Sequence, residues 1–115
     1  LREIEVLVNR VKTELGLLDE GSEIVVIRED AWRESQAAIN ECMRMMMQTA
    51  NGAFQETKGC LEMLEIDVDG LKKWAHAYVV PDAPYRLLLG QPWQQLVRIA
   101  KDTDNDGIFV MIRDP

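Results

Sequence analysis

Residues 16–27 read GLLDEGSEIVVI, and the place of Asp19 in that stretch decides how the chain folds. Two leucines precede the carboxylate, Glu20-Gly21-Ser22-Glu23 follow it, and Ile24-Val25-Val26-Ile27 is wholly apolar. Both flanks favour burial as strands, whereas an ionised carboxylate is costly to bury unless it is paired or hydrogen-bonded. Two readings meet this tension. Asp, Glu, Gly and Ser are good turn residues, so the stretch reads as a hairpin turn. It also reads as a catalytic carboxylate held at a strand end, with Gly21 letting another backbone come close.

Working outward, the chain has 115 residues, 47% of them hydrophobic, which suits one domain over 1–115 with a core of its own. The net charge of −7 and the scattered basic residues argue against nucleic acid as a partner, since phosphate binding needs clustered Lys and Arg. No apolar run approaches the roughly 20 residues of a membrane span, so no membrane partner is expected. The start does not resemble a signal peptide, and Leu1 in place of Met is expected of a piece of something longer. Cys42 and Cys60 do not make a disulfide framework. They read as free, buried thiols in a reducing, intracellular compartment, the cytoplasm. With only His76 to join them and no Cys-x-x-Cys spacing, a zinc site is not expected, nor any other metal or cofactor.

Periodicity gives the elements. Strands are expected from about Glu3 to Asn9, over TELGLLD and over EIVVI. Asp30 is the expected cap of a short helix in EDAWRESQAAINE, where Ala31, Trp32, Ser35, Ala38 and Ile39 recur at helical spacing. The methionines Met43 and Met45 to Met47 fit either a helix or a strand. They serve as core or groove lining, or as a soft peptide-contacting surface. Asn51-Gly52 and Asp69-Gly70 are hairpin signals; LEMLEIDV and LKKWAHAYVV alternate as strands around the second. His76 lies in that alternation with no catalytic partner and reads as a structural or surface residue. YRLLLG is a short apolar strand ending in Gly90, and Pro92 suits the first position of a helix in PWQQLVRIAK. DTDNDG is a turn and IFVMI a last strand. The sum is an all-β, barrel-like domain with one or two short helices.

Two motifs in this order, LLDEGS and YRLLLGQPW about 70 residues on, resemble the retropepsin-like aspartic proteases of gypsy-type LTR retrotransposons, especially fungal ones. ANG before a strand, VVPDAP and the final DNDGIFVMIRDP extend the likeness over roughly residues 3–115. It implies a closed β fold, one lobe per chain, with Asp19 as the catalytic residue in a loop completed by Glu20, Gly21 and Ser22. It also implies that Leu88, Leu89 and Gly90 pack beside that loop, and that a hairpin flap around Ala50, Asn51 and Gly52 covers a cleft for a polypeptide substrate. Glu20 departs from the pattern, which usually has Thr or Ser there.

The chemistry makes a demand on the sequence. An aspartic protease needs two carboxylates sharing one proton, one to activate water and one to protonate the carbonyl oxygen. This chain has a single Asp-x-Gly-Ser, so a homodimer placing two Asp19 side chains face to face is expected. The final strand, 108–112, and the N-terminal strand are the expected interface. Two rivals stand beside this reading. Asp102, Asp104, Asp106 and Gly107 imitate a calcium loop, but Arg113 stands where the bidentate Glu belongs. The other rival is the same fold used without catalysis, as a dimerisation or peptide-binding module.

Overall fold

The computed structural model describes residues 2–49, 51–91 and 93–98. Apolar alternation and turn chemistry set the first hairpin. Strand β1, Arg2–Val8, pairs antiparallel with β2, Lys12–Leu18, from Arg2↔Leu18 to Val8↔Lys12. Asn9 and Arg10 take positive φ values of 53° and 61° in the turn between them. The apolar run yields β3, Val25–Arg28, which leads directly into helix α1, Glu29–Ser35. A small hairpin follows, β4, Met46–Gln48, on β5, Phe54–Glu56. The long strands β6, Gly59–Val68, and β7, Leu71–Val80, meet at Asp69-Gly70, where φ values of 53° and 87° suit a two-residue turn. Strand β8, Leu87–Leu89, precedes α2, helical at residue 91 and at 93–98.

Six strands close into a barrel in the order β1-β2-β8-β3-β7-β6, while β4 and β5 form a sheet of their own. Closure depends on β8. It runs parallel to β2 and antiparallel to β3, so it joins strands distant in sequence. Strand period two then divides the apolar residues between the two faces of the sheet. Val6, Val8, Ile27, Ile66, Val79, Leu87 and Leu89 fill the interior, and Trp93 and Val97 of α2 close one end. On the outer face Val26, Val80 and Leu88 form a second cluster, covered by Leu17, Ile24, Met47, Ala83 and Tyr85. The expected all-β closed domain with short helices is thus found.

Three expectations need correction, and one open reading is resolved. Helix α1 begins at Glu29 with Arg28 as N-cap, so Asp30 lies inside the first turn and does not cap it. Its carboxylate is drawn to the Arg28 guanidinium at 2.8 and 3.0 Å instead. The helix stops at Ser35, short of Ala38 and Ile39, because Gln36 turns left-handed (φ 61°) and the Ser35 carbonyl accepts from Asn9 Nδ2 at 2.8 Å. Of the methionines, Met46 and Met47 are strand residues, Met43 and Met45 are not, and none is helical. Cys60 is a buried free thiol, but Cys42 is exposed, beyond the Asn40 bridge to Cys60 where the chain turns outward. Ala50, Pro92, the calcium-like loop and the expected strand 108–112 lie outside the described residues.

Candidate active site

Asp19 stands at the first residue after β2, where the barrel stops and the chain must turn. Its own amide donates to the Leu89 carbonyl at 3.2 Å, extending the β2–β8 pairing by one bond. Its carboxylate Oδ1 accepts the Gly21 amide at 2.9 Å, and its carbonyl accepts the Ser22 amide at 3.3 Å. The loop therefore folds back onto its own carboxylate, which is half-buried. Ser22 Oγ donates to the Ile24 carbonyl at 3.0 Å and accepts the Ile24 amide at 3.3 Å, closing the turn into β3.

The second motif holds this loop from below. The Gln91 amide donates to the Ser22 carbonyl at 2.8 Å. Gly90 lies so close to the loop backbone that a β-carbon on it would sit 2.2 Å from the Ile24 carbonyl oxygen and 2.8 Å from that of Ser22. The close approach expected at Gly21 is found at Gly90 instead. A β-carbon at Gly21 would meet only the Asp19 carboxylate, at 3.3 Å, so Gly21 serves by offering its amide to that carboxylate. Leu88 and Leu89 face opposite ways, Leu88 into the outer cluster and Leu89 into the barrel interior.

Glu20 is exposed, and its carboxylate takes no hydrogen bond among the described residues. The Thr or Ser that the resemblance leads one to expect there would present a short hydroxyl; Glu20 presents a charge to solvent.

Over the outer cluster stands the β4–β5 hairpin, whose Thr49 amide donates to Ala53 at 2.7 Å across the tip. Asn51 and Gly52 (φ 88°) occupy that tip, in keeping with the hairpin signal of Asn-Gly. Between the hairpin and the 82–85 loop lies a groove of about 760 Å³, with Met47, Phe54, Ala83 and Tyr85 among its walls. Tyr85 ties this groove to the Asp19 loop. Burial, and then the neighbouring Asp19 charge, push its phenol above the ordinary tyrosine range.

Two site residues were missed in the sequence. Gln94 is buried, and its Nε2 donates to the Leu89 carbonyl at 2.7 Å, so that carbonyl takes both the Asp19 amide and this side chain. Only its place one turn after Gly90 pointed to it. Tyr85, two residues before β8, read as part of a strand. His76 is structural, as read: its Nδ1 accepts the Met63 amide at 3.0 Å where β6 bulges opposite β7. No group of side chains suited to a metal occurs among the described residues, and no helix among them is long and apolar enough to cross a membrane.

No protein-family model matches the chain, and no curated protein matches it in sequence. Among solved structures it is similar to the retroviral protease-like domain of Ddi1 from Leishmania major. The TM-score is 0.65 at 18% identity, covering 98% of this chain and 88% of that one.

Proposed function

The fold is retropepsin-like, and from it we propose that the chain is an aspartic endopeptidase acting as a homodimer on polypeptides. The observation that carries this reading is the Asp19 carboxylate. It is fixed by the Gly21 amide at a strand end and underpinned by Gly90 and Gln91, beside an apolar groove under a hairpin. One chain supplies one such carboxylate, and two chains related by a twofold axis supply the pair. Two facing carboxylates hold one proton between them. The ionised one takes a proton from water as it attacks the peptide carbonyl, and the protonated one donates to the carbonyl oxygen. The apolar groove suits apolar side chains near the scissile bond. The YRLLLGQPW stretch supports an origin in a retrotransposon polyprotein, which would then be the natural substrate.

A second reading, a dimerising or peptide-binding module without catalysis, is favoured by the exposed Glu20 in place of a hydroxyl. Incubation with a peptide library at mildly acidic pH separates the two. Cleavage is expected from the native chain and none from Asp19→Asn, whose amide cannot serve as base. Both proteins should melt at similar temperatures, because Asp19 is not in the core. Cleavage by Asp19→Asn would remove Asp19 from the mechanism.

A further inference from the structure

Outside the cleft, β3, β7 and α2 enclose a second groove of about 400 Å³. Its walls include Ile24, Met63, Trp74, His76, Trp93 and Leu96. Three of these are large apolar side chains left in water: Met63 is 59% exposed, Trp74 44% and Leu96 46%. Solvated apolar surface gathered in one concavity marks a binding surface more strongly than scattered exposed residues do.

The polar atoms of the groove restrict what fits it. His76 Nδ1 accepts the Met63 amide, so the proton of the neutral imidazole resides on Nε2, leaving a donor. Trp93 is 2% exposed, and its indole N–H has no acceptor among the described residues. That nitrogen is itself closed to solvent, so a ligand in the groove does not reach it, and the His76 Nε2–H is the donor offered there. Glu23 stands at the rim and disfavours a carboxylate ligand. The groove therefore asks for apolar side chains on a backbone rich in neutral carbonyls.

Its position names the source. Ile24 belongs both to this groove and to the apolar cluster under the flap, two residues after Ser22 of the Asp19 loop. Met47, Ala83 and Tyr85, walls of the first groove, pack on that same cluster, so one apolar cluster underlies both surfaces. We propose that this groove binds the continuation of the substrate polypeptide, taking an aliphatic or aromatic residue displaced from the scissile bond. The proposal rests on the protease reading for the identity of the chain it holds.

Phage-displayed 15-residue peptides selected on the Asp19→Asn protein supply the probe, since selection needs no cleavage. Each selected peptide is then shortened to its cleft-binding core. Adding Trp74→Ser or Leu96→Ser to Asp19→Asn should weaken the full peptide about tenfold in calorimetry, the share of one large apolar side chain. In otherwise native protein the same changes should lower about tenfold the kcat/KM ratio of full over shortened peptide. Both side chains are exposed, so the fold should survive, and melting curves check it; Met63→Ser serves if one variant fails. Binding and kinetic ratios unchanged by these substitutions would overturn the groove. Weakened binding with no cleavage by native protein would keep the groove and remove the protease. A change in sedimentation caused by Leu96→Ser would show a second copy seated there and overturn the proposal.

Discussion

At residue 90 even one methyl group has no room: the Ile24 carbonyl stands where a β-carbon would go. The obstacle is backbone at the turn into β3, and backbone cannot swing aside as a side chain does. Gly90→Val should destabilise the protein by more than about 3 kcal/mol, with the Asp19 loop displaced. Denaturant melts with tryptophan fluorescence measure the first effect and cleavage assays the second. Unchanged stability would mean that the loop is held elsewhere. Glu20 tests the opposite condition, a side chain with space around it. In a twofold dimer, two Glu20 residues bring added negative charge to the neighbourhood of two Asp19 residues. Glu20→Thr removes that repulsion and restores a hydroxyl. The dimer dissociation constant should fall severalfold, and activity should extend towards neutral pH. Identical constants and pH–rate curves would make Glu20 a bystander, whereas a weaker dimer would give Glu20 the structural duty of the missing hydroxyl.

Strands were the most legible elements, for a physical reason. Period-two alternation and the turns at Asp69-Gly70 and Asn51-Gly52 are local signals, and β6, β7 and the β4–β5 hairpin follow them. Helix α1 was misjudged at both ends because side-chain contacts that periodicity does not show set its limits: Asn9 on the Ser35 carbonyl at one end, and neighbouring Arg28 with distant Arg86 on Asp30 at the other. The same long reach hides the ion network around Arg86. That side chain forks onto Glu14 of β2 at 2.8 Å through each of two nitrogens and also meets Asp30 and Glu34 of α1. The Glu14 side chain is only 4% exposed. Arg86→Met would leave it buried and unpaired, and should cost about 3 kcal/mol in urea melts. Arg86 itself is pushed above its ordinary range, foremost by the Glu14 hydrogen bond, so it stays charged throughout. Asp30 behaves differently. Its carboxyl is lowered to about 2 from 3.8, first by the Arg28 hydrogen bond. A depressed carboxyl stabilises the fold fully above about pH 4, and that contribution disappears as pH falls towards 2. Asp30 is half exposed, so the effect should be small. Melting temperature followed from pH 5 to 2 should fall less steeply in Asp30→Asn than in the native chain.

For the whole molecule, the two motifs marked the Asp19 loop and the glycine that packs beneath it, because each is a short, contiguous signature. The closure of the barrel was not legible. Nothing local in Leu87-Leu88-Leu89 says that it lies between β2 and β3, since that choice depends on shape and on which edges remain unpaired. The proposed dimer adds an expectation at this scale: sedimentation equilibrium should fit a monomer–dimer equilibrium, and only monomer at high concentration would remove the paired carboxylates. The insertion of β8 also governs how the protein is born. On a ribosome β2 and β3 are made early, but the strand that joins them arrives roughly 60 residues after β3 ends, some 3 to 12 seconds later at ordinary elongation rates. Until then Val25-Val26-Ile27 and the outward Leu15 and Leu17 present open, apolar edges of the kind that pair with other nascent chains. A truncation ending before Leu87 should therefore be recovered with chaperones or in aggregates, and newly made chains on crowded polysomes should depend on holdases until Gly90 has left the exit tunnel.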